Sequence, residues 1–165
     1  MRNMLNTIVV FCMLACCWSA QAQEQRAPTA PTWECLKKAS ETFSIPVPVI
    51  LAIARTEGGK VGMESVNSNG SYDLGPMQIN DRVLVPVLAR ITGVDQTYMR
   101  VVLRDHGCAN LTFGTWILRQ QYDQSGDLAT AVGWYHSRTP VHMSNYQEKF
   151  RKNLMFLIPR MANGK

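Results

Sequence analysis

Ile50, Ile53, Ala54 and Glu57 fall at i, i+3, i+4 and i+7, so an α-helix sets all four on one face. That stripe is apolar until its last member, which is a carboxylate. Gly58-Gly59 follows at once and predicts the helix end there. A chain with this segment has to aim a glutamate along the face that seeks the core, at the C-terminal end of a helix. Desolvation and the helix dipole both oppose negative charge at that point, and each raises the pKa of Glu57. A carboxylic acid that keeps its proton near neutrality suits a general acid. The competing reading is a glutamate on a frayed, solvated helix end. The stripe alone does not decide between them.

The rest of the chain after residue 32 reads as helices separated by polar turns, with no internal repeat. Trp33–Phe43 predicts a first helix, and Ser44-Ile45-Pro46-Val47-Pro48 breaks it and starts the next, Val49–Glu57. Asn67-Ser68-Asn69-Gly70-Ser71 is a turn cluster in which Asn69-Gly70 is the favoured pair for a tight hairpin. Tyr72–Ile79 then forms the returning strand or extended arm. Helical patterns resume over Pro86–Ile91, Gln96–Arg104, Leu111–Gln124 and Leu128–Tyr135. A last helix, Asn145–Ile158, opens with Ser144 and Gln147 at capping-box spacing. The expected class is α+β, mostly helical, with one small β excursion.

Export sets the compartment. Arg2 precedes an apolar run, Ile8–Trp18, and Ala20-Gln21-Ala22 offers the small residues of a signal-peptidase site. The run is short against the roughly 20 residues a bilayer span needs. The expected division is therefore a signal peptide at 1–22, a flexible Pro-containing lead-in at 23–32, and one domain at 33–160. The expected location is periplasmic or secreted; a membrane anchor and a lipoprotein modified at Leu14-Ala15-Cys16-Cys17 are the alternatives. Cys12, Cys16 and Cys17 leave with the leader, and Cys35 and Cys108 remain. In an oxidising compartment two cysteines suggest one disulfide, the alternative being two buried thiols. The chain is basic, +5 with neutral histidines. A modest positive field favours approach to an anionic polymer. Export favours a cell wall bearing carboxylates, and no block of clustered Lys and Arg marks a nucleic-acid groove.

Ala52-Ile53-Ala54-Arg55-Thr56-Glu57-Gly58-Gly59, followed by Asn69-Gly70-Ser71-Tyr72-Asp73-Leu74-Gly75-Pro76-Met77-Gln78-Ile79-Asn80, resembles the signature of lytic transglycosylases of the soluble-transglycosylase superfamily. These are relatives of lysozymes. The likeness is strongest to small specialised members that accompany secretion, conjugation and pilus machines. It extends from Cys35 to about Phe150, through Cys108-Ala109-Asn110, Gly114-Thr115-Trp116-Ile117-Leu118 and Trp134-Tyr135. It implies a lysozyme-like single domain with its hairpin beside an active-site cleft, acting on the glycan strands of peptidoglycan without a cofactor. Components of such a machine are the further partners it implies, and nucleic acid is not among them.

By matching position, the resemblance makes Glu57 the catalytic acid. Gln78 becomes a lining of the glycan cleft, with Met77 as neighbouring wall and Asn80 beside them. Tyr135 becomes the tyrosine that helps orient the glutamate. On the residues alone, Gln78 equally satisfies backbone groups in a turn, and Met77 and Tyr135 equally belong to an ordinary core. Two positions depart from the family pattern: Gly58 stands where serine is common, and His136 where asparagine is expected. His136 reads either as a hydrogen-bond donor to sugar or Tyr135, or as an exposed helix-end histidine. Asp73, 16 residues after Glu57, occupies the place of a second carboxylate facing the acid across the cleft. It steadies positive charge on the sugar, serves as the second carboxylate of a hydrolase, or simply stabilises its own turn.

Metal chemistry has little support, because His106, His136 and His142 form neither HExxH nor Cys-x-x-Cys patterns. There is no Gly-x-Ser-x-Gly elbow for a serine nucleophile. The leading expectation is a transglycosylase that splits the β-1,4 bond between N-acetylmuramic acid and N-acetylglucosamine, leaving 1,6-anhydro ends and clearing the wall for an envelope-spanning machine. The alternatives are a muramidase using Glu57, Asp73 and water, and a catalytically silent wall-binding factor.

Overall fold

A computed structural model of the chain describes residues 27–162. The expected signal peptide, with Cys12, Cys16 and Cys17, and the first residues of the expected lead-in lie outside the described residues. The described elements are α1 (Trp33–Phe43), α2 (Val47–Glu57), β1 (Glu64–Val66), β2 (Tyr72–Leu74), β3 (Ile79–Asn80), α3 (Asp81–Thr92), α4 (Gln96–Asp105), α5 (Gly107–Ser125), α6 (Leu128–His136) and α7 (Pro140–Ala162). The mostly helical α+β class expected from the pattern is the one observed.

Local chemistry explains where the elements begin and end. Thr32 caps α1 by accepting from the Cys35 amide at 3.2 Å. α2 starts at Val47 rather than Val49, because Pro48 falls in the first turn, where a missing N–H costs nothing. It ends where the glycine pair predicts: Gly58 adopts φ +71°, a conformation that suits glycine, and its amide returns to the Ala54 carbonyl.

Other boundaries differ from expectation. α3 begins five residues before Pro86, because the Asn80 side chain accepts from the Val83 amide and Asp81 favours the first turn. α7 begins at Pro140, so Ser144 and Gln147 lie inside the helix and form no capping box. Gln147 instead donates to the Ala129 carbonyl on α6 at 2.6 Å. The lead-in is not loose at its end either. Thr29 pairs with the α4–α5 junction, its amide donating to the Asp105 carbonyl and its carbonyl accepting from Gly107, both at 2.8 Å.

The sheet is antiparallel in the order β1-β2-β3, with Ser65 opposite Asp73 and Asp73 opposite Asn80. The hairpin turns through five residues, 67–71, rather than through a two-residue Asn69-Gly70 turn. The Asn69 side chain holds this wider loop by accepting from both the amide and the hydroxyl of Ser71. Glu64, Arg100, Arg104, Asp81 and Asp105 form an ion-pair network that ties β1 and the start of α3 to α4.

Ile50, Ile53, Leu74, Met77, Ile79, Leu88, Leu103, Leu118 and Val132 are almost wholly withdrawn from solvent and bring helices and sheet onto one core. α2 packs along α7, and α5 along α6. Cys35 and Cys108 form a disulfide with Cα atoms 5.7 Å apart, which fastens α1 to the start of α5. No helix among the described residues is long and apolar enough to cross a membrane.

Candidate active site

The last turn of α2, the sheet, the 67–71 loop and the end of α6 enclose a cleft of about 510 Å³. Glu57, Asp73, Gln78, Asn80, Tyr135 and His136 all line it. Sequence positions spread over 80 residues therefore converge on one place.

Glu57 leaves α2 at its final residue, half-buried, beyond the fully buried Ile50 and Ile53 of the same stripe. Its Oε1 accepts a hydrogen bond from the Tyr146 hydroxyl at 2.6 Å. Burial pushes its pKa up to about 7, and the negative charge of Asp73 adds to the rise. The Tyr146 hydrogen bond and the Lys149 charge favour the carboxylate and pull the other way, but desolvation outweighs them. Near neutrality this carboxyl is poised between giving and taking a proton, which is what one group must do to serve as acid and then as base.

Asp73 sits on β2 with Oδ1 accepting from the Asn80 side-chain amide at 2.8 Å. Asn80 thereby fixes Asp73 with one end of its amide while the other caps α3. Gln78 adopts φ +47°, and its Nε2 donates to the Gly75 carbonyl at 2.9 Å. It both lines the cleft and satisfies the backbone of its turn.

Two expected roles are corrected. Met77 is fully buried and is not a wall of the cleft. Gly114 on α5 has no side chain, and the Met77 thioether packs over it in the core beneath the cleft. The Tyr135 hydroxyl donates to the Met77 carbonyl at 2.9 Å rather than to Glu57. Tyr135 thereby holds the turn that carries Gln78.

The direct partner is Tyr146 on α7, which the sequence does not single out because the group it bonds lies 89 positions away. It is buried, and desolvation raises its pKa well above the ordinary tyrosine value, with the Glu57 carboxylate beside it adding to the rise. Asn110 was visible only as part of the Cys108-Ala109-Asn110 match. It is fully buried, accepts from the Met77 amide, and donates to the Leu74 and Leu103 carbonyls, each at 2.8 Å. Those three bonds pin the turn between β2 and β3. Gly75 in that turn, at φ +66°, lies so close to the Leu103 carbonyl and the Asn110 amide that a side chain would collide with both.

Among the described residues no group of three His, Cys, Asp or Glu side chains is placed to hold a metal ion. A family model described as "Transglycosylase SLT domain" matches residues 34–154. Protein IpgF of Shigella flexneri is 30% identical over 130 residues, covering 78% of this chain and 82% of the relative. Protein IpgF of Shigella sonnei is 31% identical over 131 residues, with the same shares covered.

Proposed function

Given that this chain belongs to the transglycosylase SLT domain family, whose members are lytic transglycosylases that cut peptidoglycan, we propose that it splits the β-1,4 bond between N-acetylmuramic acid and N-acetylglucosamine and releases 1,6-anhydro ends. The observation that carries this reading is Glu57, a carboxyl with a pKa near 7 in a polar cleft, held by Tyr146.

In this reading Glu57 gives its proton to the glycosidic oxygen as the bond from that oxygen to the muramyl C1 breaks. Positive charge then develops on C1 and the ring oxygen, and Asp73 across the cleft is the anion that steadies it. The Glu57 carboxylate next takes the proton of the muramyl C6 hydroxyl, whose oxygen closes onto C1. Glu57 ends protonated as it began, and no water is consumed. Asn80 and Gln78 position the glycan from the sheet side. The resemblance to specialised transglycosylases extends the reading to local clearing of the wall around an envelope-spanning machine, with the protein exported past the inner membrane.

Digestion of purified peptidoglycan followed by mass analysis of the muropeptides tests it. Anhydro ends are expected from the native chain, and none from Glu57→Gln. Reducing ends one water heavier would instead make the protein a muramidase in which Asp73 and water complete the reaction. Full activity in Glu57→Gln would remove the glutamate from the mechanism.

A further inference from the structure

His136 lines the cleft but has no part in the chemistry above. It ends α6 and is exposed, bordering the same space as Glu57, Asp73 and Tyr135. Its imidazole lies parallel to the Tyr146 ring, with centroids 4.8 Å apart and planes within 5°. Tyr146 is buried, so one face of the imidazole is backed by a fixed ring, and His136 is at the same time a lining residue of the cleft.

The charge state matters to what that face can do. Partial desolvation of the ring lowers the His136 pKa below the ordinary histidine value, and the neighbouring His142 and Lys149 add to the effect. Asp73 opposes them. The shift favours the neutral ring. A flat, backed surface in a mostly polar cleft complements the C–H face of a pyranose, which gains by leaving water against it. Tyr135 is the other aromatic ring of the cleft, and its hydroxyl is committed to the Met77 carbonyl.

We infer that His136 is a substrate-contacting specificity residue, whose cleft-side face stacks against a pyranose ring of the glycan strand while Tyr146 fixes its plane. This rests on the glycan-cutting function proposed above. Tyr146 supports the platform with its ring and Glu57 with its hydroxyl, so a sugar seated on His136 is registered directly against the proton donor.

The test separates binding from cutting. In a Glu57→Gln background, calorimetry measures the affinity for a tetrasaccharide of alternating N-acetylglucosamine and N-acetylmuramic acid. Adding His136→Ala weakens binding about tenfold, the ratio that about 1.4 kcal/mol represents. His136→Phe keeps a flat face without ring nitrogens and recovers most of that loss. With Glu57 intact, His136→Ala raises KM more than it lowers kcat. Unchanged affinity in His136→Ala overturns the inference. So does an affinity in His136→Phe as weak as in His136→Ala, since the ring nitrogens would then make the contact. Failure of the native chain to cut peptidoglycan, with binding still dependent on the ring, would instead count against the proposed reaction.

Discussion

The Tyr146 hydroxyl reaches Glu57 Oε1 at 2.6 Å across 89 positions of sequence, tying the last helix to the end of the second. That bond fixes the carboxyl in direction and stabilises its charged form against the burial that favours the proton. Tyr146→Phe keeps the ring and removes only the donor. The Glu57 pKa then rises above its native value of about 7, and the alkaline limb of the rate profile moves to higher pH. The maximal rate falls about tenfold, because the acid loses its fixed aim. Rates of Tyr146→Phe measured across pH 5 to 9 check both effects; an unmoved limb would contradict the assignment.

Asp73 acts on the same equilibrium with the opposite sign. Its negative charge raises the Glu57 pKa, so Asp73→Asn lowers it. A general acid works only while protonated, so kcat/KM of the native chain falls about tenfold per pH unit above pH 7. In Asp73→Asn that fall begins at lower pH. Paired pH–rate profiles of native and variant protein read the displacement directly.

Much of this arrangement was legible in the sequence. The stripe that ends in Glu57 forms the predicted helix face, and Gly58 ends it, because spacing and left-handed geometry are local facts. The turn at Asn69-Gly70 was placed correctly but drawn too tight, since the Asn69 side chain bonds Ser71 and holds a five-residue loop. The start of α7 is not legible at Ser144, because the capping-box pattern of Ser144 and Gln147 also fits the interior of a helix that Pro140 opens. Met77 was assigned to the cleft from its motif, yet Met77 and Ile79 are buried while Gln78 and Asn80 are partly exposed. That alternation was readable as a strand-like period. Tyr146 was not readable, because its partner is supplied by a helix far away in sequence.

Asn110 is expected to be more costly to remove than any exposed cleft residue. Asn110→Ala takes away the buried hydrogen bonds that its side chain makes with the Met77 amide and the Leu74 and Leu103 carbonyls. At about 1–3 kcal/mol for each buried bond lost, partly relieved by relaxation, the loss is about 4 kcal/mol. Urea denaturation measures it. Activity should fall with it even below the unfolding transition, because the turn carrying Gln78 loses its anchor.

The Cys35–Cys108 disulfide closes a loop of 73 residues. In the chain-entropy model such a loop contributes about 4 kcal/mol by restricting the unfolded chain. Replacing both cysteines with alanine should lower the denaturation midpoint accordingly, and a reductant should do the same to the native chain while leaving the double variant unaffected. Equal midpoints for native and double variant would show that the bond contributes nothing to stability.

Acid catalysis in this cleft requires a proton held by Glu57 at neutral pH. Labelling the glutamate side chains with ¹³C and following the Glu57 carboxyl resonance against pH, assigned by its absence in Glu57→Gln, measures that proton without substrate. A midpoint near 7 is the expected result. A midpoint near 4.5, the value of a glutamate in water, would mean that the carboxyl is already ionised at neutral pH and is not the acid of this cleft.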